Sequence, residues 1–333
     1  MNDDASALLR LEDLVTAYGR GDDARAVDGV SVTLQRGEIL AVIGESGSGK
    51  STLAMTALRL LEPRSGRVLF DGEDITHLGQ RSLRRIRRRM QVVFQDPYES
   101  LDRRFRVHQI VEEPLLVHRL GADAEERRAM VHAALERTGL SPASLFADRY
   151  PHQLSGGQRQ RVAIAASLVL SPEVLIADEP VSMLDVSARA GVLALLDNLR
   201  RDCDMAIVII THDLAVAAHH ADRIAVMYLG RVVEQGPASD VVDRPVHPYT
   251  RALLSVVPPK DPLAPFAPQL LSGEIPPLSA IPPGCRFASR CPDVTPACLQ
   301  ADPALLEVSP GRSAACILAA PALETSSPQG AHP

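Results

Sequence analysis

Tryptophan is absent from this chain of 333 residues, and aromatic residues make up only 3% of it. The most basic run, Arg81 to Arg89, therefore has no interleaved aromatics on which bases could stack. Basic charge is not in excess: 35 Lys and Arg face 41 Asp and Glu, for a net charge of −6. No overall electrostatic pull toward nucleic acid follows from that balance, although a local groove could still exist. Long apolar runs are missing as well, since even Val162 to Leu170 is broken by Ser167. A spanning helix needs about eighteen such residues, so any membrane role requires another polypeptide to cross the bilayer. The start, Met1-Asn2-Asp3-Asp4-Ala5-Ser6, has neither the basic nor the apolar part of a secretory signal, and a cytosolic protein is expected. In that compartment the five cysteines are not expected to form disulfides.

What is present is a glycine loop: Gly44-Glu45-Ser46-Gly47-Ser48-Gly49-Lys50-Ser51-Thr52. It lies between the apolar run Ile39 to Ile43, which reads as a buried strand, and Leu53, Ala54, Ala57, Leu58 and Leu61 at helical spacing. Strand, loop and helix in this order make a phosphate-binding arrangement. Glycines let backbone N–H groups close around phosphate oxygens, and the helix N-terminus adds its positive end. Lys50 would reach the β- and γ-phosphates, and the Ser51 hydroxyl would ligate Mg²⁺.

The rest of the chain arranges itself around this loop. Leu11 to Leu34 reads as an antiparallel layer, with Gly19 to Asp23 as its loop. Tyr18 in that layer is either an aromatic face for adenine or a strand residue packed on a neighbour. Gly66 to Gly72 reads as a strand and turn, and Leu83 and Ile86 in the arginine run suggest a short amphipathic helix with a solvated face. Met90 to Phe94 is a further strand. Residues 96–168 carry helical periodicity and form an inserted helical subdomain, closing with Leu154-Ser155-Gly156-Gly157-Gln158 and the helix that follows. Strands at Val174 to Ala177 and Ala206 to Ile210 flank a helix around Val192 to Leu199.

In a parallel sheet, ligands gather at the carboxyl ends of the strands. Here Ile43 leads into the glycine loop, Phe94 into Gln95, Ala177 into Asp178-Glu179, and Ile210 into Thr211-His212-Asp213. Asp178 can hold Mg²⁺ beside Ser51, Glu179 can take a proton from water, Gln95 can ligand the metal or orient that water, and His212 can contact a γ-phosphate.

Together these segments resemble the nucleotide-binding subunit of an ATP-binding cassette transporter, above all in Leu154 to Gln158 ahead of the Asp178-Glu179 strand end. The resemblance implies a head-to-tail dimer in which the phosphate loop of one subunit and Ser155-Gly156-Gly157-Gln158 of the other enclose ATP. It further implies that Tyr18 stacks on adenine, Glu179 is the hydrolytic base, His212 is the γ-phosphate switch and Asp96 to Glu113 receives the permeases' coupling helices. Phe94 to Leu101, Arg149 to Gln153, His247 to Thr250 and Gly284 to Phe287 are similar to the ATPases of dipeptide, oligopeptide and nickel importers. One departure is Ala165-Ala166-Ser167, where that family usually has Ala-Arg-Ala; it bears on helix packing and the subunit interface.

From Pro237 onward lie 19 of the 26 prolines, a composition that argues against regular helices or a central sheet. Cys285, Cys291, Cys298 and Cys316 lie there too, and their spacing suggests a four-thiolate metal staple or no metal at all. Some importer ATPases of the resembled family carry a 4Fe-4S cluster at similar cysteines, and zinc is the other four-thiolate option. The expected fold is α/β: a P-loop domain over residues 1–238 with a parallel core sheet, an antiparallel layer and a helical subdomain. A Pro-rich, Cys-containing extension over 239–318 and a disordered tail over 319–333 follow. The expected function is hydrolysis of Mg²⁺-bound ATP to power import of peptides or similar small solutes. Implied partners are a second ATPase subunit, two permeases at the cytoplasmic face of the inner membrane and an extracytoplasmic binding protein, with no nucleic acid. Alternatives are a nickel or other-solute importer, or a cassette ATPase acting on nucleic acid or ribosomes.

Overall fold

The computed structural model describes residues 7–18, 24–257, 268–269, 271 and 273–319. The loop Gly19 to Asp23 and residues 320–333 of the expected tail lie outside the described residues. The strands β1 (Leu9–Ala17), β2 (Arg25–Leu34), β4 (Ser65–Phe70) and β5 (Glu73–Asp74) form an antiparallel sheet in the order β2-β1-β4-β5. The larger sheet has eight strands. Its parallel part is β3 (Ile39–Ile43), β6 (Met90–Val93), β7 (Val174–Asp178), β8 (Ala206–Thr211) and β9 (Arg223–Tyr228). An antiparallel edge continues it with β10 (Arg231–Pro237), β11 (Leu306–Ser309) and β12 (Arg312–Ala314), giving β11-β12-β10-β9-β3-β8-β7-β6.

The residues of β3, β7 and β8 are buried throughout, as expected of parallel strands covered on both faces. One face meets α1 (Lys50–Ala57) and the antiparallel layer, through Leu14, Val30, Leu40, Leu53, Val68 and Ile210. The other meets α6 (Gly156–Leu168) and α7 (Val186–Cys203), through Ile164, Leu196 and Ile209. The helix expected around Val192 to Leu199 is thus longer at both ends; Asp185 caps its start by accepting the N–H of Ala188.

In α2 (Gln80–Arg89), Leu83 and Ile86 are buried while Arg81, Arg84, Arg85 and Arg88 are exposed, the pattern of a short helix with a solvated face. A separate core joins α4 (Val107–His118), α5 (Ala124–Arg137) and α6 through Val111, Leu115, Leu135 and Val162; the one-turn α3 (Pro97–Ser100) leads into it. The remaining α-helices among the described residues are α8 (Leu214–His220), α9 (Ala238–Asp243) and α10 (Pro248–Ser255). The prolines of the C-terminal part exclude regular structure less strictly than composition suggests. Pro248 occupies the first turn of α10, where its missing N–H has no partner to lose, and β12 adds directly to β10.

That extension is fixed to the main sheet by aromatic packing and buried ion pairs. Tyr228 of β9 lies 4.7 Å from the Tyr249 ring and 5.4 Å from the Phe287 ring, centroid to centroid. Burying Phe287 alone is worth roughly 1.5–3 kcal/mol. Glu234 of β10 is 0% exposed; it accepts from Arg312 at 2.6 Å and from the N–H groups of Val246 and His247 at 3.0 and 2.9 Å. Arg286 is likewise buried against Asp28 and the Leu229 carbonyl.

Candidate functional site

The carboxyl ends of β3, β6, β7 and β8 open into a cleft of about 860 Å³ lined by Tyr18, Glu45, Ser46, Gly47, Gly49, Lys50, Ser51, Thr52, Gln95, Asp178, Glu179 and His212. Residues far apart in the chain meet there because parallel strands present their ends on one edge. Two loop glycines are dictated by space. A side chain on Gly44 would run into the Met227 carbonyl, and one on Gly49, at φ 102°, into the Ala26 carbonyl. Gly49 precedes α1 without a side-chain cap, and the helix has no acid in its first turn, so its leading N–H groups remain available to an anion.

Lys50 is buried and donates to the carbonyls of Gly44 and Glu45 at 2.8 and 2.9 Å. Burial lowers its pKa, against the raising influence of Glu179, Asp178 and Glu45. Asp178, only 7% exposed, shows the opposite direction: burial raises its carboxyl, while a hydrogen bond with the Ser51 hydroxyl and the charge of Lys50 work the other way. Its Oδ1 is buried with no hydrogen-bond partner among the described residues. An orphaned carboxylate oxygen beside a serine hydroxyl fits a divalent cation that prefers oxygen ligands. Glu179 follows at φ 49°, its N–H tied to the Ile210 carbonyl at 2.8 Å. Its Oε1 shares a 2.7 Å hydrogen bond with His212 Nδ1 and accepts the His212 N–H at 3.2 Å. The Tyr18 ring is 54% exposed over the cleft, and its hydroxyl lies 3.0 Å from that of Thr52.

Ser48 is buried beneath the loop and takes no part in lining the cleft. Nor do Ser155, Gly156, Gly157 and Gln158. Instead Ser155 and Gln158 cap α6 reciprocally, each side chain bonding the other's N–H, at 3.2 and 3.0 Å. Gly157 is held against α7, where an added side chain would press on Ala188 at 2.8 Å. In the departing Ala165-Ala166-Ser167 segment α6 runs unbroken, and the Ser167 hydroxyl donates to the Val92 carbonyl of β6 at 3.1 Å.

The late cysteines do not support the expected metal staple or 4Fe-4S cluster. Among the described residues no three His, Cys, Asp or Glu side chains are grouped to hold a metal. Cys298 Sγ is engaged with the Thr295 hydroxyl at 3.3 Å, and burial pushes the Cys285 thiol up to about 11 and raises that of Cys291. Packing and ion pairs hold the region instead.

Several residues of the extension reach the cleft or its loop, and of these only Tyr249 lies in a stretch the sequence singled out, His247 to Thr250. Ile275 and Leu278 line it, Tyr249 bonds the Glu45 N–H, and Arg290 pairs with the Glu45 carboxylate. For Arg290 the signal in the sequence was its counterpart, the acid at Glu45, a negative group in a loop built for anions.

This fold and cleft define an ATP-binding cassette protein, and the chain matches the model of the ABC transporter family over residues 27–182. Residues 233–298 match a second model, the oligopeptide/dipeptide transporter C-terminal region. A putative peptide import ATP-binding protein of Brucella ovis is 45% identical over 311 residues, covering 93% of this chain and 97% of its own. The oligopeptide transport ATP-binding protein AppF of Bacillus subtilis is 44% identical over 299 residues, covering 89% and 90%. Among solved structures, cbiO1 of Clostridium perfringens, part of the ABC transporter complex cbiONQ, aligns with a TM-score of 0.65 at 35% identity, covering 72% of this chain and 92% of that one. The cassette MJ0796, a dimer bound to ADP and Pi, aligns with a TM-score of 0.63 at 32% identity over 69% and 98%. The chain belongs to the ATP-binding subunits of ABC transporters, in their oligopeptide/dipeptide branch. Among the described residues no helix is long and apolar enough to cross a membrane.

Proposed function

We propose that this chain hydrolyses ATP to power import of di- or oligopeptides, or similar small solutes, through separate permeases. The observation that carries the reading is the buried Asp178 Oδ1, which has no hydrogen-bond partner among the described residues, beside Ser51 and with Lys50 and Glu179 in the same cleft. Ser51, Asp178 and Gln95 would hold Mg²⁺, which when bound draws charge from the β- and γ-phosphoryl oxygens. Lys50 exchanges its two carbonyl partners for phosphate oxygens, and the N–H groups at the end of the loop and the start of α1 fix the triphosphate. Tyr18 offers its exposed ring to the adenine. Glu179 takes the proton of the attacking water, and His212, bonded to the same carboxylate, holds it in position and reaches the γ-phosphate once the cleft fills.

Ser155 to Gln158 stand outside the cleft of their own chain, which supports a second ATPase subunit supplying them from across a dimer interface. The same reading makes residues 1–238 the ATPase domain, with a helical part at 96–168 whose segment Asp96 to Glu113 receives the permeases, and 239–318 the extension. It locates the protein on the cytoplasmic face of the membrane, working with an extracytoplasmic binding protein. Glu179→Gln is expected to leave ATP binding intact and reduce turnover by at least about 10²-fold in the purified transporter, the usual span for loss of a general base. Hydrolysis at the wild-type rate would sink the assignment of the base.

A further inference from the structure

An acidic side chain in a phosphate loop is unfavourable unless something cancels it, because a like charge near the triphosphate repels it in a partly desolvated cleft. Glu45 is such a side chain. Both terminal nitrogens of Arg290 grip its carboxylate, at 2.7 and 3.0 Å. The Arg290 side chain is only 6% exposed and lies over the Tyr228 ring, 5.8 Å from its centroid. The main chain of Glu45 is held as well, its N–H donating to the buried Tyr249 hydroxyl at 2.9 Å. These partners lie 245 and 204 residues further along the chain, and both belong to the extension. The charge of Glu45 also reaches Lys50, the loop's own cation.

We propose that the C-terminal extension is a clamp on the phosphate loop: Arg290 neutralises Glu45 and Tyr249 fixes its amide, so that docking of the extension sets the affinity of the cleft for a nucleoside triphosphate. Arg290 is a positioning residue in this scheme, acting on the ligand through Glu45. The proposal rests on the ATP-binding reading given above. Linkage makes the effect reciprocal, so a bound triphosphate must in turn hold the extension down.

The test uses the full chain and measures Mg²⁺-ATP affinity by calorimetry for wild type, Arg290→Gln, Glu45→Gln and the double variant. Arg290→Gln is expected to weaken binding about tenfold, within the usual range of a coupling between sites. Glu45→Gln in the same molecule should restore affinity to within about twofold of Glu45→Gln alone, because no uncompensated carboxylate remains. Added salt should shrink the Arg290→Gln defect by screening Glu45. Wild-type affinity in Arg290→Gln, or a double variant as weak as Arg290→Gln, overturns the clamp. Failure of the wild type to bind ATP overturns the ATP-binding reading and the clamp with it, and so is distinguishable. Should Arg290→Gln fail to fold, Tyr249→Phe keeps the packing and removes only the hydroxyl. It should speed hydrogen exchange at the Glu45 amide and weaken ATP binding; neither change in a folded Tyr249→Phe protein also overturns the proposal.

Discussion

The two ends of the Glu45–Arg290 pair belong to regions built on opposite plans. Around the phosphate loop, groups that chemistry can use are left unsatisfied: Asp178 Oδ1 has no partner among the described residues, and Lys50 is bonded to groups of its own loop, the carbonyls of Gly44 and Glu45 and the Ser48 hydroxyl. Where the extension docks, buried charges are matched by partners, as where Glu234 of β10 accepts from Arg312, Val246 and His247 at once and Arg290 grips the Glu45 carboxylate. The first region stores interaction free energy for a ligand, and the second spends it on holding position. Substitutions in the first should therefore cost binding and spare the fold, and those in the second should do the reverse.

The largest effect is expected from Lys50→Ala, which removes the cation of the cleft. ATP binding should fall by at least about 10²-fold, the weight of a charge-assisted phosphate contact, while thermal stability stays within about 1 kcal/mol because a buried ammonium is relieved at the same time. A large loss of melting temperature in Lys50→Ala would break the contrast. Arg312→Ala, by comparison, strands the Glu234 carboxylate in the core and should cost about 3 kcal/mol of stability, read from denaturant unfolding.

A pH series probes the same region. His247 is buried, accepts the Tyr249 N–H at Nδ1, and is lowered by that burial to about 4 from an ordinary 6.5. Below pH 6.5 the unfolded chain takes up a proton that the folded chain refuses, so this contribution is whole above 6.5 and is lost as pH falls toward 4. Stability should drop by on the order of 2 kcal/mol between pH 7.5 and 5 from this residue, a drop that His247→Gln would remove. Smallest of all, Arg84→Ala with Arg85→Ala on the exposed face of α2 should shift stability by less than about 0.5 kcal/mol and leave ATP affinity unchanged. A marked loss of binding there would show that the arginine face is not merely solvated.

This contrast also explains what could be read from residues alone. The cleft was legible because each of its groups sits at the end of an apolar strand: the loop after Ile43, Gln95 after Phe94, Asp178 after Ala177, His212 after Thr211. Parallel strands bring such ends together without further information. The pairing of His212 with Glu179 was not legible, because it depends on the left-handed turn at Glu179. The extension was hidden for a different reason. β11 is mostly exposed and four residues long, so no alternation marks it, and the ties of Arg290 to Glu45, Arg286 to Asp28 and Arg312 to Glu234 are long-range and without local spacing. The cysteines drew notice by their spacing, yet the structure secures that region with Phe287, Tyr249 and salt bridges.

The pairing of β12 with β10 has a consequence for how the chain is made. Glu234 and its arginine are 78 residues apart, so a ribosome delivers the acid of β10 long before its counter-charge exists. Until Arg312 arrives, one side of β10 is an open strand edge with a carboxylate that wants water, a combination that resists premature burial and sheet-to-sheet association. A chain cut before Arg312 would lack both the strand that covers the β10 edge and the counter-charge of Glu234.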